Sequence, residues 1–189
     1  ESQTFTATDW RDEASVGAAP TSAFEGDTRT DALFVQEAWK LDPRWTLTAG
    51  VREERWQALD GVRYGTTAFR DPAGALVNQF DYADRDENFT SPKLSLAWQA
   101  TPEWRLRASV ARAYRMPTVS ELFQTETRGT TTYISDPNLK PEKILASDLS
   151  AEGAAWGGYL RLSLFDSHTD DALYSQTDIS VTPNVTSVQ

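Results

Sequence analysis

An all-β chain of antiparallel up-and-down strands forming part of a transmembrane β-barrel is the fold the sequence predicts, and three observations predict it. A pattern Trp-x3-Pro-x-Trp-x-Leu-x-Ala-x-Val runs from Trp39 to Val51 and returns from Trp98 to Val110. Each copy holds a Pro-containing turn, Leu41-Asp42-Pro43-Arg44 or Ala100-Thr101-Pro102-Glu103, followed by a strand that alternates apolar and polar residues. Next, hydrophobic residues make up only 39% of a chain that carries seven Trp, and mean hydropathy is −0.53. A barrel with an apolar outer face and a polar lumen accommodates both facts. Finally, short turns alternate with long connections, the asymmetry that outer-membrane barrels show between their two ends.

Residues 1–29 are rich in Thr, Ser, Asp and Ala without a period, and read as loop with a short strand at the beginning. A first strand is expected from Asp31 to Leu41, with Leu33, Val35, Trp39 and Leu41 on one face, interrupted by Glu37. After the turn near 42–44 the alternation sharpens: Trp45, Leu47, Ala49 and Val51 oppose Thr46, Thr48, Gly50, Arg52 and Glu54. Residues 59–88 hold three glycines, a proline and six acidic residues, and are expected to form a long exposed loop with a hairpin around Pro72-Ala73-Gly74. Strands from Phe89 to Gln99 and from Trp104 to Val110 follow, joined by the turn near 100–103; Leu94, Leu96, Trp98, Trp104, Leu106, Ala108 and Val110 share the apolar side. A second long loop, 116–141, leads to a weaker strand over 142–152, a short turn at 153–157 and a strand placing Leu160, Leu162 and Leu164 together.

Trp39, Trp45, Trp98, Trp104 and Trp156 all flank short turns on the more apolar face of their strands. An indole places its ring in apolar surroundings and its N–H near water, so such a set suits a bilayer interface. Ordinary sandwich hairpins with core Trp are the competing reading. No apolar run approaches the ~18 residues of a membrane-spanning helix, so contact with a bilayer would be made by strands. The start Glu1-Ser2-Gln3 has no signal-peptide character, and the tail after Asp170 reads as the middle of a longer protein.

With 28 acidic and 18 basic residues, a net charge of −10 argues against nucleic acid as a partner. The absence of Cys excludes disulfides and thiolate sites. His168 is the only histidine, and neighbours one residue apart on a strand point to opposite faces, so Ser167, His168 and Asp170 form no triad and no enzyme is expected.

Past residue 110 the sequence resembles a known family. Ala111-Arg112-Ala113-Tyr114-Arg115-Met116-Pro117-Thr118-Val119-Ser120-Glu121-Leu122-Phe123 is similar to the Tyr/Phe-Arg-x-Pro…Glu-Leu stretch of TonB-dependent outer-membrane receptors. Asp136-Pro137-Asn138-Leu139-Lys140-Pro141-Glu142 is similar to that family's Asn-Pro-Asn-Leu-Lys-Pro-Glu element, with Asp136 where Asn is usual. Phe34 to Trp39 and Ser91-Pro92-Lys93-Leu94 also look like barrel strands of the family. The resemblance covers roughly residues 30–175 and implies energised uptake of a scarce nutrient, most often a ferric siderophore, through an outer-membrane barrel closed by a plug domain. No plug, no TonB-contacting segment and too few strands for closure are visible, so the chain reads as an internal piece of the barrel. Lipid, a TonB complex acting through the missing plug, and a metal chelate are the partners implied; no cofactor or metal is.

Tyr114, Arg115, Pro117, Glu121, Leu122, Asn138, Leu139, Pro141 and Glu142 are read as structural, with Pro117 ending a ladder and Arg115 pairing with Glu121. Ligand candidates are the aromatic and basic residues of the long loops: Arg63, Tyr64, Arg70, Phe80, Tyr82, Arg128 and Tyr133. Arginine meets the anionic charge common in ferric siderophores, and tyrosine stacks on their rings. Haem uptake, which leans on histidine ligands, is weakened by the single His168; cobalamin or another metal complex stays open within the class, as does a passive porin. From another class, a secreted all-β carbohydrate-binding module would use the Trp rings as sugar platforms.

Overall fold

The structure, a computed structural model, describes residues 2–4, 7–8, 22–71, 73–128, 131–181 and 184–188. Its strands are β1 (Ser2–Thr4), β2 (Ala7–Thr8), β3 (Ser22–Lys40), β4 (Trp45–Arg70), β5 (Leu76–Asp81), β6 (Arg85–Gln99) and β7 (Trp104–Arg115). The short helix α1 (Val119–Phe123) follows, then β8 (Thr125–Arg128), β9 (Thr131–Ile134), β10 (Glu142–Ala155), β11 (Gly158–Asp170), β12 (Ser175–Asp178) and β13 (Asn184–Val188). The main antiparallel sheet is ordered β1-β3-β4-β6-β7-β10-β11, with β2 on β3 and β5 on β4, and it curls into part of a barrel. A small second sheet, β12-β13-β9-β8, joins the 116–141 connection to the stretch after β11 through a parallel β9–β13 pair.

Register converts sequence alternation into two continuous faces. One rung runs Trp39–Leu47–Leu96–Ala108–Leu149–Leu164 across six strands, and the next, one residue along, runs Lys40–Thr46–Ala97–Arg107–Ser150–Ser163. Because successive side chains point to opposite sides, the first rung belongs to an apolar face and the second to a polar one. The apolar face is covered by no other part of the protein, Leu164 being 72% exposed, as a lipid-facing surface must be. Two connections, Leu41–Arg44 and Ala100–Glu103, close by the same device. Asp42 Oδ1 accepts from the Arg44 and Trp45 N–H groups, and Thr101 Oγ1 from those of Glu103 and Trp104.

Four expectations change. Residues 59–88 are not a loop: β4 runs on to Arg70, and β5 and the start of β6 pair back onto it. The turn around 71–75 is closed by Asp71 N–H to Ala75 O at 2.9 Å; Pro72 lies outside the described residues. Outside a bilayer both faces of a strand can be wetted, so the acidic and glycine-rich composition that hid these strands carries no alternation to detect. The connection 116–141 likewise contains α1, β8 and β9. Next, β10 continues through Ala155, so the turn expected over 153–157 shrinks to Trp156-Gly157, whose φ values of 50° and 75° are the mirror-image turn a two-residue hairpin requires. Strand β3 also begins earlier than expected, at Ser22.

The hydrophobic core lies on the polar face, at the end of the sheet away from the short turns. Phe24, Trp56, Ala58, Val119, Leu122, Phe123 and Leu139 are buried there. The connection after β7 folds back across the sheet and seats the Phe123 ring on two glycines: a Cβ at Gly26 would stand 2.7 Å from the ring, and one at Gly61 2.6 Å. A ring can lie that close only to backbone without side chains. Replacing Phe123 with Ala is expected to destabilise this end of the sheet by about 3–5 kcal/mol. Gly61→Ala should be severely destabilising beside Phe123 and far less so beside Phe123→Ala, a non-additivity that a urea-unfolding double-mutant cycle measures.

Candidate ligand-binding site on the polar face

Below residue 58 the even-numbered residues of β4 face the polar side, Trp56 and Ala58 among them. A β-bulge then changes the register between Glu25 and Asp27 on β3, and Asp60 takes a left-handed conformation with φ 52°. An Asp tolerates that conformation better than most residues, and its N–H is held by Asp84 Oδ1 at 3.1 Å. The extra residue reverses parity, so Gly61 and Arg63, odd-numbered, now share the side of Ala58. Arg63 stands opposite Phe24 on one neighbour and Phe80 on the other.

An aromatic enclosure forms around Arg63. Its guanidinium carbon lies 3.8 Å from the Phe69 ring centroid. Phe80 meets Tyr82 edge-on at 5.0 Å, and Tyr82 meets Phe123 at 5.0 Å. Burial pushes the Arg63 pKa down, opposed by the charge of Tyr82, yet a guanidinium stays protonated throughout the accessible range. Its Nε is buried and has no hydrogen-bond partner. The enclosure is thus a fixed positive charge, stacked and partly desolvated, with one donor unused, an arrangement that favours an anionic, flat ligand group.

Of the sequence candidates, Arg63, Phe80 and Tyr82 come together here. Tyr64 neighbours Arg63 on the strand and so points to the other face; it is 38% exposed. Arg70 donates to Gly74 O at 2.7 Å and closes the 71–75 turn. Tyr133 sits half-buried on β9 in the small sheet, and Arg128 lies on β8 with its side chain outside the described residues. Sequence reasoning missed Phe24, Phe69 and Phe123: no alternation marks the first two, and Phe123 becomes a neighbour only through the fold-back of α1.

The motif residues fasten that fold-back. Thr118 caps α1 reciprocally with Glu121, whose carboxylate accepts from Thr118 N–H at 2.8 Å while Thr118 Oγ1 accepts from Glu121 N–H. Arg115 pairs with Glu121 at 2.7 Å and Glu142 at 3.5 Å, and Glu142 also accepts from Leu173 N–H at 2.7 Å. Leu122, Pro117, Leu139 and Pro141 are buried. Asp136 Oδ1 accepts from Asn138 N–H at 2.8 Å. Arg85, which the sequence did not single out, lies over Trp56 at 5.0 Å and donates to the carbonyls of Pro137 and Leu139 at 2.8 and 2.9 Å while paired with Glu87. Tyr114 packs on Phe89 at 4.9 Å.

On the opposite face Trp45 and Trp98 stack at 5.3 Å with their planes 9° apart. Trp39 opposes Leu47, the Trp104 ring lies against Gly153, and Trp156 stands at its turn, 95% exposed. An antiparallel sheet with one bare apolar face, a polar face and indoles beside its short turns defines a segment of an outer-membrane β-barrel. The sequence matches the family described as TonB dependent receptor-like, beta-barrel, over residues 1–188, and the chain belongs to it.

No curated relative matches the sequence. Among solved structures, the chain is similar to the Serratia marcescens hemophore receptor HasR, solved with its hemophore HasA and heme, at a TM-score of 0.69 and 16% identity, over 99% of this chain and 36% of that one. It is similar to the ferric yersiniabactin uptake receptor FyuA of Yersinia pestis at 0.56 and 21%, over 80% and 22%. It is also similar to the ferric-catecholate import receptor Fiu of E. coli at 0.57 and 16%, over 85% and 24%. The chain therefore spans between a fifth and two fifths of the length of these receptors.

Burial, the largest single influence, pushes the Glu121 carboxyl up, but the Thr118 N–H and hydroxyl and the Arg115 guanidinium together hold it below its ordinary value of 4.5. A depressed carboxyl contributes stability that is complete above the ordinary value and lost as pH falls through the depressed one. Amide protection over residues 118–124 is expected to fall on acidification below about pH 4.5. Glu121→Gln should lower it already at neutral pH and flatten the dependence, as hydrogen exchange corrected for intrinsic rates reads out.

Proposed function

We propose that the chain is the part of a TonB-dependent uptake receptor that lines the entrance of the barrel, and that the cargo is an anionic metal chelate with planar groups, a ferric siderophore. One observation carries this reading: the partly desolvated Arg63 with an unused Nε, held among Phe24, Phe69, Phe80 and Tyr82 on the polar face beyond the apolar band. The site supplies positive charge and stacking, the two interactions such a chelate offers. Plug residues complete the site, and energy delivered through TonB releases the cargo inward. Tyr133 and Arg128, on the small sheet, are second-contact candidates.

The similarity to a receptor solved with heme keeps haem as the second reading. In this segment it would need a ligand other than His168, which is paired with Asp170 at 3.1 Å and shares the apolar-face parity of Leu164 on β11. Family membership leaves no support for the secreted carbohydrate-binding module. The Trp set seats the barrel instead, Trp39, Trp45, Trp98 and Trp104 marking the periplasmic interface beside the short turns, with Trp156 beyond them at its own turn.

In the full-length receptor, Arg63→Gln should weaken binding of a ferric siderophore at least tenfold, about 1.4 kcal/mol, with Phe80→Leu intermediate. Uptake of labelled ferric chelates by iron-starved cells, compared with haem as sole iron source, is the check. Growth on haem with no chelate uptake would reverse the order of the two readings. Separately, tryptophan emission should be quenched by lipids brominated near the headgroup, and Trp45→Phe together with Trp98→Phe should remove a large share of that quenching. Quenching by glycans but not by brominated lipid would overturn the seating.

A further inference from the structure

Strands β6 and β7 both run on above the point where their pairing with each other stops. Strand β6 pairs with β4 up to Arg85 and β7 with β10 up to Arg115, but β6 and β7 pair only between Gln99↔Arg105 and Lys93↔Ala111. One residue is the cause. Gln99 N–H donates to Arg44 O on one side and Ala100 N–H to Trp104 O on the other, so even-numbered residues of β6 turn their backbone groups toward β7. Above Leu94 and Val110 the next such pair is Pro92 with Arg112, and proline has no N–H to give. Beyond it the strands part far enough for two rings to meet within the wall. Phe89 belongs by parity to the polar face and Tyr114 to the apolar one, yet their centroids lie 4.9 Å apart. An unbroken ladder would hold them on opposite sides.

Height and charge decide what the break can do. Leu94 and Val110, directly beneath it, end the rows of lipid-facing leucine, alanine and valine on the two strands. The freed backbone groups therefore stand where water is available to them. From Lys93–Ala111 up to the ring pair the break is about 10 Å long, room for one hydrocarbon chain and too little for a lipid with several. A cavity of about 530 Å3 lies behind it on the polar side, lined by Phe34, Lys93, Ala111 and Ala113 together with Arg112 and Tyr114 of the break itself. Lys93 and Arg112, turned to opposite sides of the sheet, have no ion-pair partner among the described residues. The carboxylates on the neighbouring strand are already engaged, Glu54 by Arg52 at 2.9 Å and Glu53 by Thr90 Oγ1 at 2.9 Å.

We propose that the break is a side entrance from the outer leaflet into the polar interior, closed by the Phe89–Tyr114 ring pair, and that it takes a carboxylate carrying a single acyl chain. The head passes Arg112 and settles on Lys93, the first carbons lie on Phe34, which is 71% exposed, and the chain stays against Leu94 and Val110. Continuity fixes the occupant: the lipid-facing band reaches the lower lip of the opening, so an amphiphile arrives with its chain already in place, and the two unpaired cations draw its head through. Rotation of the Tyr114 ring opens the way, because the buried cluster above, from Phe24 to Leu139, ties both sides of the break together. Arg63 and its cargo play no part in it.

Photolabelling of the full-length receptor in outer membranes tests this, with a palmitate that carries a diazirine beside its carboxylate. Mass spectrometry should place the label on Ser91, Lys93, Ala111 or Ala113, on the polar side. Free palmitate should compete and its methyl ester should not. Lys93→Gln should lower this labelling several-fold, and Tyr114→Ala should raise it. Pro92→Val returns the missing N–H, so it should extend the ladder, seen as slower hydrogen exchange of the Thr90 and Tyr114 amides, and abolish the label inside. Label that is absent or confined to Leu94 and Val110, equal competition by the methyl ester, or full labelling in Lys93→Gln would each overturn the proposal. So would inside labelling that survives an extended ladder in Pro92→Val, or exchange in that variant unchanged from wild type. Competition by lipopolysaccharide as strong as by palmitate would mark a plain lipid contact and overturn it too. Receptor abundance is measured for every variant, so a folding failure is read separately.

Discussion

Within a bilayer no water is available to satisfy backbone N–H and C=O groups, and every other property of this segment follows from how that demand is met. Its long strands pair in chain order from β3 to β11, so each ladder is closed by a neighbour only a turn or a connection away. Once the ladders are continuous, alternation is compulsory, and a single rung carries Trp39, Leu47, Leu96, Ala108, Leu149 and Leu164 to one side while the next carries Lys40, Arg107 and small polar residues to the other. The apolar face meets lipid. Chemistry is confined to the polar face.

The same constraint relaxes beyond the bilayer, and there the structure departs from strict alternation. The bulge at Asp60 turns Arg63 inward, where regular pairing would have turned Tyr64. It also brings Gly61 beside Gly26 as a shelf for Phe123. One inserted residue therefore sets both the charged member of the candidate site and the seat of the segment that encloses it. Arg85, Arg115 and the Thr118–Glu121 cap then hold that segment by its carbonyls, its carboxylates and its helix start. The conspicuous Tyr-Arg-x-Pro and Asn-Leu-Lys-Pro-Glu elements are explained by what they fasten.

Within the apolar band the sequence was readable because lipid on one side enforces a period of two: Leu47 through Val51 and Leu160 through Leu164 announce their strands. The Pro-containing turns were readable from their residues. Above the band, residues 59–70 and 76–88 form strands that no lipid holds to a period of two, so the signal that reveals a strand is absent although the pairing is not. Parity there could not be counted from sequence, since the shift at Asp60 leaves no compositional trace. Arg63, Phe80 and Tyr82 were found by residue type, whereas Phe24, Phe69 and Phe123 depend on register and fold-back, which residue type does not encode.

Strand β4 is 26 residues long, whereas a tilted strand needs only about 9–11 to cross the hydrocarbon. The surplus, paired with β3, β5 and β6, is a braced mast standing tens of ångströms above the lipid at ~3.3 Å per residue. Arg63 and its rings occupy the mast, and the rung that runs Lys40–Thr46–Ala97–Arg107 lies far below them. The candidate site and the membrane-spanning rungs are thereby held apart along one strand, so the mast is free to diverge while the rungs beneath stay unchanged.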